Sequence, residues 1–160
     1  MKIKKSISKL FGVTILTLFC LNISNAQTIN KEVYNPSADA QKELNAAIIK
    51  AGTESKNIFV DVGGNWCVWC IRFYNYCKED MEIDSIISHS YIELLINHSP
   101  ENENMKVLKK LGEPNKLGFP VFLIVDKSGT VLVTQDSGYF YIDKGWNRER
   151  ILEFFTKWVK

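Results

Sequence analysis

Ile58-Phe59-Val60-Asp61-Val62-Gly63-Gly64-Asn65-Trp66-Cys67-Val68-Trp69-Cys70 is the stretch around which the rest of the chain can be ordered. Its first five residues, β-branched and aromatic with one acid, read as a buried central strand over Ile58–Val62. Gly63-Gly64-Asn65 is a loop, and a helix opens at Trp66 or Cys67 and runs to about Asp80. Two thiols two residues apart at a helix start can close a small disulfide ring. The free N–H groups and partial positive charge of that helix end favour a thiolate at Cys67. A thiolate backed by a second thiol is the equipment of thiol–disulfide exchange. Half of a zinc site and an inert structural disulfide are the plainer alternatives. Zinc would have to recruit Cys77, His89 or His98, and the chain has no second Cys-x-x-Cys or spaced His pair, so no metal or cofactor is expected.

Working outward, Ser37 is expected to cap a helix to about Lys50, with Gly52 as its stop. Tyr91–Asn97 is a second strand, Asn104–Leu111 a short helix, and Glu82–His89 a helical turn. Val121–Asp126 and Thr130–Gln135 form a hairpin about Lys127-Ser128-Gly129. Asn147 caps a last helix through Val159, with Ile151, Phe154, Phe155 and Trp158 as its buried stripe. The order predicts an α/β fold, a central mixed sheet with helices on both faces. The helix opening at Cys67 follows directly from a central strand, at the sheet end where α/β folds place their chemistry.

The chain has 160 residues, 46% of them hydrophobic and 24% charged, enough apolar surface for one compact domain. Lys2, Lys4, Lys5 and Lys9 precede an apolar run from Leu10 to Ile23 and the small-residue exit Ser24-Asn25-Ala26. This is the layout of a signal peptide over residues 1–26. An uncleaved anchor and a lipoprotein signal with Cys20 as the lipidated residue are the alternatives. Residues 27–36 read as an extended arm and 37–160 as the domain, working outside the cytosol in a periplasm or beyond. After the leader the balance is 16 basic to 18 acidic groups, and no basic stripe points to nucleic acid.

Two segments resemble the thioredoxin superfamily. Val60 to Cys70 looks like that family's strand, loop and active-site turn, with an aspartate six residues before the first cysteine and a tryptophan just before it. Gly118-Phe119-Pro120-Val121 looks like its cis-proline loop. The likeness spans roughly Gln41 to Lys160 and is nearest to bacterial exported thioredoxin-like proteins and the periplasmic C-terminal domain of transmembrane disulfide reductases. It implies that Cys67 and Cys70 form a redox disulfide. It also implies a cis Phe119–Pro120 bond beside them, whose backbone edge could pair with an extended substrate. An ordinary trans proline is the alternative. Val-Trp stands between the cysteines where thioredoxin has Gly-Pro, and Asn75 stands where the family's helix-kinking proline is expected, which implies a straighter helix.

Asp61 shares a strand face with Phe59, opposite Ile58, Val60 and Val62. Burial there would raise its pKa and equip it to take the Cys70 proton; a carboxylate reaching solvent at the strand end is the alternative. Trp66, Trp69, Phe119 and Pro120 are the candidate substrate contacts, with Trp69 exposed. Cys77 lies about 10 Å along the helix from Cys70, beyond the roughly 7 Å that a disulfide spans, and reads as a buried core thiol. His89 and His98 read as surface residues. The expected function is thiol–disulfide exchange with protein cysteines and an unidentified redox partner, by a monomer that meets the membrane only through its leader. A low-turnover binding module of the same fold, for cysteine-containing or haem-maturation clients, is the second reading.

Overall fold

The computed structural model describes residues 32–160, so the leader over 1–26 and the first part of the arm lie outside the described residues. Four strands form the sheet in the order β2-β1-β3-β4, with β1 (Asn57–Gly63) parallel to β2 (Tyr91–Asn97) and antiparallel to β3 (Val121–Val125). β4 (Val131–Asp136) closes one edge as the antiparallel partner of β3. Because side chains alternate along a strand, β1 feeds two cores. Ile58, Val60 and Val62 join α1 (Ala40–Glu54) and α4 (Met105–Lys110) on one face. On the other face Phe59 meets α2 (Val68–Glu79), α3 (Met81–Ser90) and α5 (Arg148–Lys157). A mixed sheet with helices on both faces is therefore what these residues build.

Several boundaries differ from expectation. Asp39, not Ser37, caps α1, its carboxylate accepting from the N–H groups of Gln41 and Lys42. Gly52 does not stop that helix. The chain continues to Glu54, and Ser55 ends it in a left-handed conformation with φ 55°. The segment after β4 also contains a hairpin that composition did not reveal, β5 (Tyr141–Ile142) paired with β6 (Gly145–Trp146). Asn147 does cap α5, accepting from the Arg150 N–H. Asn75 donates from its side chain to the Ile71 carbonyl at 2.8 Å, and α2 runs without interruption past the position of the missing proline.

Candidate active site

β1 ends at Gly63, and the loop that follows delivers Cys67 to the residue just before α2. Cys67 is the N-cap: its sulfur accepts from the Cys70 N–H at 3.2 Å, one of the donors a helix start leaves unpaired. Cys67 and Cys70 are joined as a disulfide, with Cα atoms 5.3 Å apart. Cys67 is less open than its place at the helix start implied. It is 6% exposed against 0% for Cys70, because in the disulfide state it packs with Tyr34, Ile71 and Phe119. What protrudes is the rim, with Trp66 at 57%, Val68 at 54% and Trp69 at 40%.

Each rim tryptophan is held from one side. The Trp66 indole donates to the His98 carbonyl at 2.7 Å and meets the Phe119 ring edge-on at 5.6 Å. His98 is not a bland surface residue. Its ring stacks on Phe119 at 5.0 Å and its Nδ1 lies 2.7 Å from the Glu103 carbonyl. His89, by contrast, is exposed on α3. Trp69 is covered in part by the unforeseen hairpin, edge-on to Tyr141 at 5.0 Å and Trp146 at 6.2 Å, with Arg72 over its ring. The Phe119–Pro120 peptide bond is cis, and Pro120 leads directly into β3. Between Trp66, His98, Pro100 and Phe119 lies an open groove of about 950 Å³.

Two residues before the end of β1, Asp61 is 1% exposed, on the sheet face it shares with Phe59 and Gly63. Burial pushes its carboxyl up to about 8; a hydrogen bond from Tyr34 acts the other way, and Glu93 adds to the rise. Sequence reasoning missed Tyr34, which was assigned to an extended arm. Its ring is buried and its hydroxyl donates to Asp61 Oδ1 at 2.8 Å. Burial first, then the Asp61 charge, pushes the phenol well above its ordinary value. Asn65, read only as loop, holds the arm in place. Its Oδ1 accepts from the N–H groups of Val33 and Tyr34, both at 2.9 Å, and its Nδ2 donates to the Tyr34 carbonyl at 2.7 Å. A tyrosine beside a valine in an otherwise polar arm was the one available signal.

Gly63 makes this floor possible. A Cβ there would lie 2.6 Å from the Tyr34 hydroxyl and 2.7 Å from Cys70 Sγ, closer than such atoms approach. Gly63→Ala should therefore destabilise the oxidised protein by about 1–3 kcal/mol through overpacking. Urea unfolding checks this, and an unchanged midpoint would show that the floor can open. Cys77 is a free, buried thiol in the aromatic core around Phe73 and Tyr91, with burial pushing its pKa up.

This sheet, with a Cys-x-x-Cys disulfide at the helix start, defines a thioredoxin-like protein. The chain belongs to that family, whose model matches residues 39–127. Over 87 residues it is 29% identical to "Thiol:disulfide interchange protein DsbD" of Escherichia coli O6:H1, a match covering 54% of this chain and 14% of that protein. The protein of the same name from Colwellia psychrerythraea is 24% identical over 94 residues, which cover 58% of this chain and 15% of that one. The chain thus matches only about a seventh of the length of these curated relatives. Among solved structures, a disulphide isomerase from Xylella fastidiosa Temecula1 superposes with a TM-score of 0.69 at 22% identity, over 81% of this chain and 98% of that one. The DsbD C-terminal domain of Neisseria meningitidis, in its oxidised form, gives 0.53 at 18%, over 74% and 95%. Both likenesses are of fold.

Proposed function

We propose that this protein is a thiol–disulfide oxidoreductase acting on protein cysteines outside the cytosol. The observation that carries the reading is the Cys67–Cys70 disulfide at the start of α2, with the buried carboxyl of Asp61 near the end of the preceding strand. In the reductive direction, the Cys67 thiolate attacks a client disulfide. One client sulfur leaves as thiolate, and a mixed disulfide forms. Asp61 takes the proton of Cys70, whose thiolate attacks Cys67 Sγ and expels the second client sulfur. Two electrons pass to the client, and the pair ends oxidised, to be recharged by a dithiol partner; the oxidative direction is the reverse.

The groove between Trp66 and Phe119 suits an extended client segment, with Pro120 next to it at the cis bond and Trp69 sharing a smaller recess with Phe119. Turnover in an insulin-reduction assay tests the reading. Stoichiometric complexes without turnover would favour a binding module instead. Export rests on the leader, and among the described residues no helix is long and apolar enough to cross a membrane. Mass spectrometry of the exported protein should find Gln27 at the N-terminus; a mature population retaining Met1 would overturn that assignment.

A further inference from the structure

We infer that Tyr34 is the proton relay between Cys70 and Asp61. This rests on the reading of Asp61 as the acceptor of the Cys70 proton, and it supplies the route.

The hydroxyl donates to Asp61 Oδ1 at 2.8 Å. A hydroxyl that donates once can still accept. The same oxygen and Cys70 Sγ both border the space over Gly63 that a side chain would fill, so the phenol that holds the carboxyl is also a near neighbour of the thiol that must lose its proton. Packing alone would be met by phenylalanine. Asn65 gives the arm three hydrogen bonds, and it stands two residues before Cys67, so the phenol is registered to the redox loop itself.

The transfer balances without another reactant. With Cys67 joined to a client, the Cys70 S–H proton passes to Tyr34 Oη as the Tyr34 O–H proton passes to Asp61 Oδ1. The tyrosine ends neutral and the carboxylate ends as the acid. The Cys70 thiolate then forms the bond to Cys67 Sγ, the bond from Cys67 to the client breaks, and its electron pair leaves on the client sulfur. The titratable neighbours of this path are few. Glu93 of β2 raises both Asp61 and Tyr34 and is paired with Lys78 of α2. Tyr74 of α2 also raises Tyr34, and the Asp61 charge in turn raises Cys77 of α2.

Reduced protein mixed with 5,5′-dithiobis(2-nitrobenzoate) tests the relay. It releases one thionitrobenzoate when Cys67 attacks and a second when Cys70 resolves the adduct. In Tyr34→Phe the first phase should keep its rate, and the second should slow at least about ten-fold at pH 7. Its pH midpoint should move upward, because Asp61 has lost the donor that stabilises its charge; a loss of packing alone would not move it. A second phase matching wild type in rate and midpoint would overturn the relay. Asp61→Asn separates the two ideas. If it slows the second phase and flattens its pH profile while Tyr34→Phe changes nothing, the acceptor stands and the relay falls. If Asp61→Asn itself has no effect, both fall. Near-UV circular dichroism of the oxidised variants checks that the floor is intact.

Discussion

Cys70→Ser is expected to accumulate client proteins on Cys67 as mixed disulfides, visible on non-reducing gels. Cys67→Ser is expected to lose trapping and exchange together, by at least about a thousand-fold in insulin reduction. The asymmetry follows from the helix. Cys67 is the N-cap, where its sulfur already accepts the Cys70 N–H and the helix dipole favours negative charge. Cys70 lies inside the first turn with no exposed surface, so it meets only what Cys67 has already bound. Adducts on Cys67→Ser instead of Cys70→Ser would reverse the two roles. If neither variant trapped a client, the low-turnover binding reading would gain.

Asp61→Asn is expected to slow release of those adducts by about a hundred-fold while sparing the first attack, because only release needs a proton acceptor. It should also stabilise the oxidised fold at alkaline pH. The wild-type carboxyl moves from an ordinary 3.8 to about 8 on folding, chiefly through burial. A raised value means the folded state holds the proton more tightly than the unfolded chain. The associated stability is complete below about pH 4 and is lost as pH rises through about 8. Asparagine has no charge to bury and can still accept from Tyr34. The variant should match wild type near pH 4 and exceed it by about 2–5 kcal/mol at pH 9 in urea unfolding. Parallel stability curves from pH 4 to 9 would show that Asp61 ionises in the fold as readily as in the unfolded chain.

The sheet and its layering were legible because each strand alternates over a local window. Ile58, Val60 and Val62 against Phe59 and Asp61 is a pattern that needs no distant information. The cysteine pair was legible for the same reason, since spacing and helix start are local. The rest of the site was not. Tyr34 joins it only because Asn65, 31 residues on, folds the arm back, and nothing near Tyr34 announces that partner. His98 looks polar in sequence yet stacks on Phe119, a contact made across the sheet end. The β5–β6 hairpin escaped because its strands are two residues long. Its turn also uses Asp143 and Lys144 at φ 48° and 70° in place of an Asn-Gly signal.

The docked arm separates two boundaries that are easily taken for one. The segment shared with the family begins at residue 39, whereas the floor of the site begins at Tyr34. A recombinant fragment begun at residue 39 and carried to the last helix would keep the disulfide, the cap and Asp61 but discard the phenol. Activity measured on such a fragment would describe a different proton balance from that of the longer chain. Conversely, this short stretch precedes the first helix and supplies none of the sheet's strands. It therefore offers a handle for tuning the pair from outside the scaffold that carries it.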